Sequence, residues 1–138
     1  MAELVLYDPE RVGGWVAEKV NHNAGWGSFY AFGIDMDGKL VAGVVVHQMN
    51  GANAVCHIAI EKPVKAIVDL FQVVCEYAFV QCGLKRLTGL VPTNEQNIIK
   101  FDKHLGFEEE CVLKDAAPGA DMQVLVMWAD KCRWLRKD

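Results

Sequence analysis

The chain is 138 residues long, 52% hydrophobic, and carries a formal net charge of −4. That length and apolar content suit one domain with one core and exclude a two-core protein or a disordered chain. The acidic balance argues against phosphate-driven nucleic-acid binding, and no run of about 20 apolar residues is present to span a bilayer, so neither nucleic acid nor a membrane is an expected partner.

In chain order, residues 9–20 read as a helix, with Asp8 as N-cap, Pro9 at the first helical position, and Val12, Trp15 and Val16 on one face. The following HNAGWGSF is a loop. Its Trp26, between Gly25 and Gly27, is either a mobile lip over a ligand or an anchor of the turn onto the core. Residues 29–36 suit a strand, Asp37-Gly38 a hairpin turn, and residues 39–48 a second, more apolar strand. Asn50-Gly51 turns the chain into a third strand, 53–61, antiparallel to the second. Pro63 opens the longest helix, whose apolar residues recur every three or four positions until Gly83. Such a helix can carry the chain back across the sheet, so residues 84–91 pair parallel to the third strand or lie beside its end.

The next helix takes Thr93 as N-cap and Gln96 as the partner in a capping box, with Asn94, Ile98, Phe101 and Leu105 on one face and Gly106 as the stop. Residues 107–114 and 122–128 are strand-like, joined by the loop DAAPGAD, and form a final hairpin. Its second strand, VLVMWA, is either an edge that pairs with another copy, making a homodimer, or is covered by the terminal tail. In that tail Lys131, Arg133, Arg136 and Lys137 are solvated while Trp128, Trp134 and Leu135 pack inward. The five cysteines are an odd number without CxxC or Cys/His metal spacing, so no metal is expected. Cys75 and Cys82, seven apart on one helix, stand about 10 Å apart by helical rise, too far for a disulfide. With no charged-then-apolar leader, a soluble, unexported, cytoplasmic protein with reduced thiols is expected.

The segment VPTNEQNIIKFDKHLGF, residues 91–107, resembles the last motif of the GNAT acetyltransferases, and the element order is similar to theirs from first helix to last strand. Over CEYAFVQCGLKRLTGLVP and LGFEEECVLKDAAPGAD the chain looks like short GNAT-like proteins encoded by tailed bacteriophages. The resemblance implies a single α+β (α/β) domain of GNAT-like fold, with a mixed, mostly antiparallel central sheet and helices on both faces. It also implies acetyl-CoA as co-substrate, a primary amine as acceptor, and N-acetyl transfer by direct attack.

Within that resemblance, the strands 53–61 and 84–91 splay, and the backbone of Ile58, Ala59 and Ile60 holds the pantetheine arm. Asn94, Asn97 and Phe101 lie near the coenzyme, although the family places its Asn eleven residues before the Gly, where Glu95 stands here. The family's QxxGxG or RxxGxG loop is replaced by EKPVKAIVDLFQ, with no glycine between Gly51 and Gly83, so Lys62 and Lys65 are expected to meet the phosphates as point charges. His57 is the first candidate for removing the amine's proton and Glu61, on the same strand face, the second. The family's thiolate-protonating Tyr is absent, its position holding Asp102. The lost loop and Tyr motivate the alternative class, a GNAT-shaped interaction module or virion component without catalysis.

Overall fold

The computed structural model describes residues 1–135; Arg136 and Lys137 lie outside the described residues. One seven-stranded sheet runs β1 (Ala2–Val5), β2 (Phe29–Met36), β3 (Lys39–His47), β4 (Asn53–Ile60), β5 (Arg86–Pro92), β7 (Ala120–Trp128), β6 (Glu108–Ala117), in that spatial order. Among the described residues only β4 and β5 are parallel neighbours; every other pair is antiparallel. Helix α1 (Pro9–Lys19) packs on one face, and α2 (Ile67–Cys75) and α3 (Gln96–Leu105) on the other.

The turns follow their sequence chemistry. Asp37 and Gly38 both take positive φ, 55° and 88°, as a two-residue hairpin loop requires. The Oδ1 of Asn50 accepts from the backbone N–H of Ala52 and Asn53, closing the next turn. α1 buries Val12 and Val16 against β3, where Gly43 lets the helix sit close: a Cβ there would lie 2.7 Å from Val16 Cγ2.

The differences from the sequence expectations have local causes. β1, which the sequence did not reveal, is four residues long, too short to show alternation, and is fixed by pairing Ala2 with Met36 and Val5 with Gly33. The long helix begins at Ile67, not Pro63, because the backbone N–H groups of Glu61 and Lys62 both donate to Val41 O and hold this stretch against β3. Beyond Cys75 it continues as a π-helical turn, Glu76–Gln81, ending at Gly83 with φ 65°. α3 begins at Gln96, so Thr93 is not its N-cap. Thr93 N–H donates to Asp121 O at 2.8 Å, which ties it to the last hairpin, while Gln96 Nε2 donates to Thr93 O.

β6 and β7 reach to Ala117 and Ala120, leaving only residues 118–119 as the turn, with two register shifts along the pair. β7, the apolar VLVMWA strand, is interior rather than an edge, since β5 and β6 flank it. In the tail, Trp134 lies 5.8 Å from Phe71 and donates its Nε1–H to Leu105 O, so it does pack inward, as does Leu135. The main core lies between the sheet and α2–α3, and the smaller one beneath α1.

Candidate functional site

β4 and β5 begin paired, Asn53 with Arg86 through Cys56 with Gly89, and there the ladder stops although β4 continues to Ile60 and β5 to Pro92. β5 remains bonded to β7 along its whole length and β4 to β3 as far as Ile60, so each strand is held from outside while the two diverge. The β4 edge from His57 to Ile60 thus faces a gap instead of a strand. Such an edge offers backbone donors and acceptors to an extended ligand. A cleft of about 470 Å³ lies along that β4 edge, lined by Ile58, Ala59 and Ile60, by Asn97, Phe101 and Asp102 of α3, and by Lys19 and Val20 at the end of α1.

Asp102 is 6% exposed, and its Oδ1 has no hydrogen-bond partner. Burial without a counter-charge pushes its carboxyl up to about 7. At the cleft's other rim Lys19, from the end of α1, pairs with Glu61 at 2.6 Å; the hydrogen bond from Lys19 holds the Glu61 carboxyl below its usual range.

On the α1 side of the sheet stands a cluster of rings. His57 Nε2 lies 3.1 Å from His47 Nε2, Trp26 caps both with ring centroids about 5 Å away, and His22 stacks on Trp26 at 3.8 Å. Trp26 is buried and donates its Nε1–H to Gly13 O at 2.9 Å, so it anchors the loop. Burial first, then the neighbouring imidazoles His47 and His22, pushes the His57 pKa down to about 4; burial lowers His47 as well. Both are neutral at pH 7. Among the described residues no group of three His, Cys, Asp or Glu is arranged to hold a metal ion.

No protein-family model and no curated protein matches this sequence. Solved structures do. A point variant of spermidine N-acetyltransferase SpeG from Vibrio cholerae matches with a TM-score of 0.74 at 16% identity, covering 94% of this chain and 96% of that one. The dodecameric Vibrio cholerae spermidine N-acetyltransferase in an intermediate state gives 0.72 at 14%, covering 94% and 95%. Spermidine/spermine N-acetyltransferase SpeG from the same organism, in complex with manganese ions, gives 0.69 at 14%, covering 94% of each. The chain has the GNAT fold.

On this GNAT frame the residues singled out from sequence separate into groups. Ile58, Ala59, Ile60, Asn97 and Phe101 converge on the cleft. Asn94 is exposed in the turn before α3 and lines a different hollow with Asp115 and Asp121, because α3 starts late. Lys62 lines a groove with Arg11 and Lys39 under the β2–β3 turn, and Lys65 is exposed in the turn ahead of α2. His57 faces the ring cluster, and Glu61 is exposed and tied to Lys19.

Asp102 is the cleft residue whose environment the sequence reading did not bring out. The signal was present in the spacing Ile99, Asp102, Leu105, which is the buried stripe of α3; the face drawn through Ile98 and Phe101 is rotated from it by one residue.

Proposed function

We propose that this chain is an N-acyltransferase that takes an acetyl group from acetyl-CoA lying in the β4–β5 gap and passes it to a primary amine by direct attack. The observation that carries it is the ladder ending at Cys56 and Gly89 beside a cleft whose β4 wall has unpaired backbone. A pantetheine arm is extended and carries amides, so it can bond to that wall as a strand would, with a backbone N–H of β4 meeting the oxygen on which charge develops. Asn97 and Phe101 then flank the arm. Lys65, in the turn before α2, is the proposed phosphate contact in place of a glycine loop, whereas Lys62 and Asn94 line other hollows and are left out of the proposed contact set.

The amine acceptor is taken by analogy with the spermidine acetyltransferases, so spermidine is the first probe. His57 is neutral and able to accept a proton, but at about 4 it lies some six orders of magnitude below an amine's ordinary 10.4, and Glu61 is engaged by Lys19. The outer edge of β6, exposed along nearly its whole length, is the surface open to a second copy.

Thermal melting tests the proposal. Acetyl-CoA at about 100 times its Kd adds roughly 2.7 kcal/mol to stability by mass action and raises Tm. Asn97→Trp, at an exposed position on the cleft rim, is expected to abolish that rise with the unliganded Tm unchanged, and Lys65→Glu to weaken it. Absence of any rise in the wild type, with no thiol release over a panel of amines and peptide N-termini, refutes the transferase and favours the non-catalytic interaction module or virion component.

A further inference from the structure

The cleft along the β4 edge is lined from both faces of the sheet. Asn97 and Phe101 reach it from α3, and Lys19 and Val20 from the end of α1, which packs on the opposite face. Among the lining side chains Lys19 alone carries a primary amine. Its anchor is firm, because Lys19 is the last residue of a helix seated on the sheet through the buried Val12 and Val16. The ammonium itself is held at two points, 2.6 Å from Glu61 Oε2 and 5.4 Å from the centre of the Trp15 ring. Neither point locks it. With the Lys19 and Glu61 side chains 39% and 55% exposed, water competes for both partners, and so exposed an ion pair opens readily. The flexible four-carbon stem then sweeps the mouth of the cleft.

We propose that Lys19 is a self-acetylation site, its amine taking the acetyl group from acetyl-CoA bound in the cleft of the same chain. This rests on the acyltransferase proposal above. The released amine attacks the thioester carbonyl, a C–N bond forms, the C–S bond breaks, and the electron pair leaves on sulfur. Of the two protons that the ammonium gives up, one passes to solvent before the attack and the other ends on the coenzyme's sulfur. Acetyl-CoA is the sole co-reactant, and nothing is oxidised or reduced. The product is a neutral amide that is no longer nucleophilic, so the reaction stops at one acetyl group per chain and Glu61 loses its partner.

Position, not intrinsic reactivity, selects this lysine. The hydrogen bond to Glu61 raises the Lys19 pKa above its ordinary 10.5, so less of it is free amine at any given pH and acetyl-CoA in bulk solution modifies it slowly. Other lysines are placed elsewhere: Lys62 lines a separate groove, Lys65 is exposed ahead of α2, and Lys103 pairs with Glu109. An amine fixed beside the thioester reacts at a high effective concentration, which offsets the handicap of the ion pair. Preferential acetylation of a chemically disfavoured lysine is therefore the signature of the cleft.

The test incubates the full chain with acetyl-CoA and no added amine at pH 8 and follows acetyl groups by intact mass and peptide mapping. The acetyl-CoA-induced rise in Tm and thiol release over an amine panel are read alongside. One acetyl group on Lys19 is expected, forming at least about tenfold faster than on Lys19 of the urea-unfolded chain. Its rate per chain should not change when the protein is diluted at fixed acetyl-CoA, as reaction within one chain requires. Asn97→Trp, which fills the cleft rim, should bring Lys19 down to the rate of the unfolded chain. Self-acetylation is overturned if Lys19 stays unmodified, if Lys62 and Lys65 are acetylated as fast, or if the Lys19 rate falls on dilution or survives Asn97→Trp. In each of those cases a rise in Tm with turnover on the amine panel leaves the acyltransferase standing, whereas no rise, no thiol release and no modification overturn both proposals together.

Discussion

His57 and Asp102 are displaced in opposite senses, and their effects on stability should cancel until one is removed. His57 titrates at about 4 when folded against 6.5 ordinarily, so between these values the unfolded chain holds a proton that the folded one lacks. Stability then rises with pH by about 1.36 kcal/mol per unit and is lost as pH falls towards 4. Asp102 titrates at about 7 when folded against 3.8, so over the same window the folded chain holds the extra proton and stability falls with rising pH at the same slope. From pH 4.5 to 6.5 each contributes about 2 kcal/mol, with opposite signs, the slope flattening where one state is half titrated.

Urea unfolding of the wild type, Asp102→Asn and His57→Gln at pH 4.5, 5.5 and 6.5 reads this out as differences from wild type. Those differences cancel the carboxylates Asp35, Glu61 and Glu110, whose ion pairs weaken in acid in all three proteins. The Asn variant is expected to gain stability steadily with pH relative to wild type, and the Gln variant to lose it. Two variants whose free energies run parallel to the wild type across the window would refute the burial argument for both groups.

Gly43→Ala should cost about 1–3 kcal/mol, since its Cβ would press on Val16 Cγ2 at 2.7 Å and Val12 Cγ1 at 3.2 Å, both on a helix already seated. Gly89→Ala, whose nearest neighbour would be 3.6 Å away, is the control, and equal urea midpoints for the two variants would contradict the close-approach explanation. Cys132, half-buried and with its thiol held down at about 7, chiefly by the neighbouring Cys75, should be alkylated by iodoacetamide at pH 7 well before the buried Cys56 and Cys75. Cys75→Ala should slow that modification up to about tenfold, as peptide mapping by mass spectrometry would show, and an unchanged rate would remove Cys75 as the cause.

Most strands were legible because their alternation is bounded by turns with one chemical solution, as the positive φ at Asp37, Gly38 and Gly51 shows. Where the reading missed, a distant partner had intervened. Val41 O captures the N–H groups of Glu61 and Lys62 and delays α2, and Asp121 O captures that of Thr93 and delays α3. No local propensity encodes either bond. The late start of α3 also explains Asn94, which lies in the preceding turn, whereas Asn97 and Phe101 lie within the helix and reach the cleft. Ile58 to Ile60 were locatable because the β3 pairing fixes their register. The surroundings of Asp102 were hidden because an isolated acidic residue in a polar-looking helix does not announce that the core closes over it.

An opening formed by two strands that stop bonding is framed by main chain, which every amino acid supplies alike. Different side chains along its walls therefore leave the doorway's outline unchanged, which fits a chain matched by no protein-family model and no curated protein whose shape nevertheless aligns over 94% of its length at 14–16% identity. In architecture of this kind, shape is set by where bonds are withheld.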